Sequence, residues 1–290
     1  MAYISKHFKK SFEVYKRNFV PIILSILLIG IIYGLFFGLG IFALFGPKGV
    51  STIAESYMMS GEFTDFESQE FSELLNLQNV GLFLLFIILG GIIAIFLQAG
   101  FWGVCFHGIK KRVTMKTFFT TIRKRGVSYF LAILLVLIIF FVISLLLSLP
   151  ASIFHPLIPI ALLILILITP FFILISPAVI SGKGVIESLE QSFKLGKKYY
   201  FDLILLIILI YLFSLVSFIP IIGSLLVYFL ISPLFTLVIC SFYIEVSVKQ
   251  KPKMQIKKST QKKRTNKLVK KSKQKREDKS NRKKLKGKRK

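Results

Sequence analysis

The residues able to do covalent or metal chemistry are few and scattered. His7, His107 and His155 fall in three separate segments, with none of the short spacings that bring two imidazoles to one metal ion. Cys105 and Cys240 both lie in apolar runs, where a thiol acts as a small polarizable core residue rather than as a nucleophile. Five carboxylates stand between Glu62 and Glu73, but their spacing fits no Ca²⁺-binding loop and reads as a solvated acidic segment. There is no Gly-x-Ser-x-Gly, no phosphate-cradling glycine loop and no His–Cys pairing. The expectation is a non-enzymatic chain with no catalytic residues, no cofactor and no metal.

The elements that would have to position such residues are long stretches of hydrocarbon. The 290 residues are 54% hydrophobic, more than a soluble domain can hide from water. A bilayer-crossing helix needs about 20 apolar residues. Six runs qualify: Phe19–Phe45, Val80–Phe106, Val127–Leu149, Leu157–Ile180, Leu203–Ile219 and Leu225–Val248. The first is too long for a cleavable signal segment and reads as a retained helix. Ile219-Pro220-Ile221-Ile222-Gly223-Ser224 predicts a tight turn between the fifth and sixth. Glu245, Asp202, His107 and His155 all sit near run boundaries, so no ionisable group marks a mid-membrane ion path.

Charge orients these runs. Lys6, Lys9, Lys10, Lys16 and Arg17 precede the first run. Lys110 to Arg125 separate the second from the third, and Lys183 to Lys198 separate the fourth from the fifth. The alternate loops hold one basic residue, Lys48, and the acidic cluster. The bias of Lys and Arg toward the cytosol predicts a multi-pass cell-membrane protein with both termini inside. It also places both cysteines toward the reducing side, where a disulfide is not expected.

Residues 1–248 form the predicted membrane domain, and residues 249–290 a disordered cytosolic tail with 22 of the 39 basic residues and two acids. With few large apolar side chains the tail has nothing to pack into a core. Its basic clusters, including Lys262, Lys263, Arg264, Lys283 and Lys284, suit anionic lipid headgroups or the phosphates of RNA, ribosomal RNA included. The tail has no aromatic residue, so RNA contact would be sequence-tolerant.

The fold class expected is all-α: six transmembrane helices in three hairpins, each introduced by a basic amphipathic segment. Apolar positions recur at helical spacing as Ile4, Phe8, Phe12 and Tyr15, as Met115, Phe119 and Ile122, and as Ile186, Leu189 and Phe193. Phe12, Phe119 and Phe193 each stand four residues before a basic pair. These segments are expected to lie in the inner interface with their aromatic side in the acyl boundary. Phe63, Phe66, Phe71, Leu74 and Leu75 suggest a further surface helix on the acidic side.

Two intramembrane features stand out. Gly30, Gly34 and Gly38 are spaced by four, which lets a neighbouring helix approach closely, within the chain or in a homo-oligomer. Thr169-Pro170, Ser176-Pro177 and Ser232-Pro233 place prolines inside the fourth and sixth runs. Interior prolines free backbone carbonyls, and transporters use such broken helices to line substrate sites. A kink covered by a neighbouring hydroxyl is the simpler expectation.

From Ile175 the chain reads Ile-Ser-Pro-Ala-Val-Ile-Ser-Gly-Lys-Gly-Val-Ile-Glu-Ser-Leu-Glu-Gln-Ser-Phe-Lys-Leu-Gly-Lys-Lys, and an apolar run with Ile-Pro-Ile-Ile-Gly follows. This stretch resembles a broad, uncharacterised group of prokaryotic six-span membrane proteins, similar to the membrane domain of membrane-anchored glycerophosphodiester phosphodiesterases. The resemblance is best over residues 170–224 and weaker over 8–24. Many of those relatives carry an acidic residue near Ser181, which this chain lacks. The resemblance implies a membrane module without the catalytic barrel, hence no hydrolase. The function expected is envelope organisation or sensing with a cationic tail. A transporter, or an insertase-like protein with a ribosome-docking tail, is the alternative.

Overall fold

In the computed structural model, which describes residues 2–60, 77–153, 157–219 and 221–248, regular structure follows the apolar runs closely. The helices are α1 (Ala2–Arg17), α2 (Phe19–Ser60), α3 (Leu77–Gly108), α4 (Met115–Ile153), α5 (Leu157–Ile168), α6 (Ile175–Ile180), α7 (Val185–Lys198), α8 (Tyr200–Ser214) and α9 (Ile222–Leu226). A π-helical turn, Val227–Ile231, joins α9 to α10, residues 232–248. No strand occurs among the described residues. Six segments are long and apolar enough to cross a bilayer: Phe19–Gly46, Gln78–Gly108, Met115–Ser148, Ile158–Ile180, Tyr200–Phe218 and Ile222–Val248. This is an all-α, multi-pass membrane protein. The segment with Phe63, Phe66, Phe71, Leu74 and Leu75, and the tail with Lys262, Lys263, Arg264, Lys283 and Lys284, lie outside the described residues.

The chain divides into two units, Met1–Tyr243 and Ile244–Lys290. Of the second, residues 244–248 are described and helical. The packing described below belongs to the first.

Each hairpin enters the apolar layer through the same pattern of burial. Ser11, Phe118 and Ser192 are buried, as are Val14, Thr121 and Leu195, then Ile22, Tyr129 and Leu203, then Ser25, Ala132 and Leu206. The spacing within each series is the same. Phe12, Phe119 and Phe193 follow the first buried position and are exposed in all three. Three sequences sharing little beyond a Phe and a basic pair thus present one face inward and one outward, which is the signature of an internal threefold repeat.

The repeats differ at the elbow between entry helix and span. α1 ends at Arg17 and α2 starts at Phe19; α7 ends at Lys198 and α8 starts at Tyr200. The middle repeat has no elbow, because α4 runs unbroken from Met115. The separate amphipathic segment expected before Val127 is therefore the first turns of the third span. α2 bends at Gly46, with φ 64° and ψ 179°. That left-handed φ strongly favours glycine, and Pro47 then opens the next helical stretch.

The expected glycine contacts divide. Gly30 lies against the Tyr228 ring of the sixth span, but a Cβ at Gly34 or Gly38 would meet no atom within 4 Å. Close approach of the first two spans occurs instead at Gly40, against Phe83, and at Gly90, against Phe36. A glycine series spaced by four holds one helix face, and here that face is mostly open.

Candidate functional site

The three repeats meet on residues 235–243 of α10. Every residue from Phe235 to Tyr243 is buried, so this helix is covered on all sides, as a helix apolar all round must be. Its polar side chains meet polar partners. His7 Nδ1 of α1 lies 2.9 Å from Ser241 Oγ. The Tyr243 hydroxyl donates to Gln191 Oε1 of α7 at 2.9 Å and lies 3.2 Å from Ser181 Oγ, just past α6. Phe106 of α3 packs on the Tyr243 ring, and His7 and Tyr199 on Phe242. Three residues of one helix therefore collect contacts from α1, α3, α7, the residue that follows α6 and the elbow before α8.

The His7–Ser241 separation is that of a base–nucleophile pair. Both residues are nevertheless fully buried, and Ser241 sits in the middle of a helix. Neither lines either of the cavities described below. The arrangement works as an interhelical tie, which satisfies polar groups in a place where water cannot.

A second group of contacts lies at the helix irregularities around the prolines. Pro233 has no N–H to offer the carbonyl four residues back, that of Phe229. The Tyr15 hydroxyl of α1 donates to this carbonyl at 2.7 Å. Burial pushes the Tyr15 phenol above its ordinary pKa, so it remains a protonated donor through neutral pH. The fourth span breaks at the 3₁₀ turn Thr169–Phe171 and resumes at Ile175. Here Ser192 Oγ of α7 donates to Phe171 O at 2.6 Å, Tyr200 OH to Leu167 O at 3.0 Å, and Thr169 Oγ1 to Leu165 O at 2.9 Å. Gly196 permits this approach: a Cβ there would lie 2.9 Å from both Pro170 O and Phe171 Cα.

The prolines thus have three different roles. Pro170 is in the break. Pro177 is not a breaking residue, because it occupies the first turn of α6, where its missing N–H is tolerated. Pro233 follows the π-helical turn, and the helix continues through it. Replacing Tyr15 by Phe is expected to remove about 1 kcal/mol by leaving the Phe229 carbonyl without its donor. Chemical unfolding in detergent checks this, with Tyr211→Phe at an exposed site as the neutral control.

The α1–α2 elbow is pinned by one residue the sequence reading passed over. Buried Asn18 donates through Nδ2 to Val14 O and Gly108 O, at 3.1 and 3.3 Å, and accepts from Val113 N at 2.9 Å. Arg17 Nη2 donates to Gly108 O at 2.7 Å. An Asn between a basic pair and an apolar run was the available signal, since Asn readily bonds nearby backbone. The three exposed aromatics have different neighbours: Lys16 Nζ sits 4.6 Å over the Phe12 ring, Phe119 packs edge-on to Phe118, and Phe193 stacks on Phe171. Cys105 and Cys240 are buried with free thiols, and no cluster of metal-ligating side chains occurs among the described residues.

The fold and these ties define a polytopic all-α membrane protein whose hairpins are joined at their basic end. Comparison with protein-family models, with curated proteins and with solved structures gives no match in any of the three.

Proposed function

We propose that the protein is a non-enzymatic membrane module that organises or senses the inner leaflet of the cell membrane, with both termini cytosolic and a cationic tail that gathers anionic lipid. The observation that carries this reading is the repeated outward face. In all three repeats an exposed Phe is followed four residues later by a basic pair: Phe12 by Lys16-Arg17, Phe119 by Arg123-Lys124, and Phe193 by Lys197-Lys198. A Phe in the acyl boundary beside two cations at the phosphate level is how an interfacial helix holds an anionic leaflet. With this reading goes the sequence resemblance to the membrane domain of the membrane-anchored glycerophosphodiester phosphodiesterases: a membrane module used without their hydrolase chemistry.

A transporter built on the broken fourth and sixth spans is less well supported. At these breaks the Phe229, Phe171, Leu167 and Leu165 carbonyls accept from Tyr15, Ser192, Tyr200 and Thr169 rather than facing an open path.

The tail is tested in neutral vesicles. Full-length protein is expected to tether added phosphatidylglycerol vesicles at low salt, with tethering lost near 0.5 M salt, roughly where screening reaches a few ångströms. Removal of residues 249–290 should abolish it. Tethering that survives this truncation, or that is equal with phosphatidylcholine vesicles, overturns the lipid assignment. Salt-sensitive co-sedimentation with ribosomes without vesicle tethering would instead assign the tail to RNA and favour the insertase-like reading.

A further inference from the structure

Two cavities open at the α1–α2 elbow and share one side chain. The first, about 460 Å³, is lined by Lys16, Arg17, Phe19, Val20, Pro21, Arg112, Val113, Thr114 and Met115. Three of these residues are cationic and none is acidic, while its other walls are largely apolar. The second, about 390 Å³, is apolar throughout, and Tyr15, Phe19, Ile23, Leu226 and Phe229 are among its walls. Phe19 belongs to both.

A ligand matched to this pair needs a compact anion and, within one side chain's width, a hydrocarbon. Inorganic phosphate would leave the apolar cavity empty. A fatty acid has the chain but little headgroup for a cavity of that size. A neutral zwitterionic lipid brings a choline cation into a groove with three bases and no counter-charge. We propose that the elbow binds one anionic phospholipid, with its phosphate between Lys16, Arg17 and Arg112 and one acyl chain passing over Phe19 into the cavity below Tyr15.

The groove is built rather than incidental. Arg17 is held by its bond to Gly108 O, and the backbone of Val113, beside Arg112, is held by Asn18. The cationic walls therefore come from two segments fixed to each other, which lowers the ordering cost of binding. The middle repeat lacks this pocket's parts, because it has no elbow. The proposal deepens the reading of the basic end as a lipid-facing surface, but it does not involve the tail.

The test uses the full chain in a mild detergent. Retention of dioleoyl-phosphatidylglycerol is measured by native mass spectrometry against dioleoyl-phosphatidylcholine, with inorganic phosphate and glycerophosphoglycerol as chainless competitors. The expected result is one tightly retained phosphatidylglycerol. Lys16→Ala with Arg112→Ala should weaken its retention about 30-fold, since each basic residue near the surface contributes about 1 kcal/mol. Leu226→Trp, at a partly exposed position, should weaken it by filling the chain cavity while leaving every charge in place. Lys262→Ala, Lys263→Ala and Arg264→Ala together should leave it unchanged. Thermal unfolding without added lipid identifies any variant that is misfolded, and Arg112→Glu on the exposed loop provides a second charge variant. Equal retention of phosphatidylcholine, displacement by inorganic phosphate at concentrations comparable to the lipid, or retention unmoved by both the charge and the cavity variants overturns the proposal. Loss of vesicle tethering on truncation with this retention intact would separate the tail's role from the elbow's.

Discussion

Tyr243→Ala is expected to be the most damaging single substitution in the membrane domain, at about 3–5 kcal/mol. The ring is 2% exposed and packs on Phe106, so its removal leaves a cavity where three repeats meet. The hydroxyl also bonds Gln191 and approaches Ser181. Tyr243→Phe separates the two effects: it keeps the packing and should cost only about 1 kcal/mol. Chemical unfolding of the purified protein in detergent measures both. Equal losses for Ala and Phe would mean that the hydrogen bonds, and not the ring, hold the junction.

The second large effect is expected from Gly196→Val. Its Cβ would lie within 2.9 Å of Pro170 O and Phe171 Cα. Both are backbone atoms, with no rotamer to escape into, so α7 must move off the break in the fourth span. Overpacking of this kind costs about 1–3 kcal/mol and occasionally more. Movement of α7 would also pull Ser192 away from the Phe171 carbonyl and add the loss of that bond. Gly34→Val provides the contrast. A Cβ there has nothing within 4 Å, and its effect should stay within about 0.5 kcal/mol, as for an ordinary surface change. The same thermal or chemical unfolding measurement reads both. A neutral Gly196→Val would show that α7 is not closely seated on the fourth span.

The comparison of these two glycines shows what could be read in the sequence. The spans were legible because 20 apolar residues between charged loops have few alternative readings. The three exposed phenylalanines were legible because each carries its basic pair at the same distance. The buried face of α1 was not. Helical periodicity grouped Tyr15 with Phe8 and Phe12, as it would in a water-soluble helix. The buried stripe is instead His7, Ser11, Val14, Tyr15 and Asn18, while Phe12 is exposed. Beside a bilayer the outside is as apolar as the core, so small and polar side chains turn toward the protein. The same inversion hid Ser192, Ser241 and Gln191, which look incidental in sequence and are the ties in the structure. Pro170 was legible as a helix break. Its partners were not, because Ser192 and Tyr200 lie on helices whose placement depends on the whole fold. The missing elbow in the middle repeat has a local cause: Arg125 stands where Asn18 and Tyr199 end their helices, and Arg continues a helix readily.

The pairing of His7 with Ser241 spans 234 positions of chain. A ribosome extending at 5–20 residues per second takes roughly 10–50 s to cover that distance. Throughout that interval α1 holds a polar stripe whose destination has yet to be synthesised. The contact therefore closes only after the sixth span has been made. A nascent chain halted after five spans leaves His7 without Ser241, and Tyr15 without the Phe229 carbonyl, however well the rest has folded.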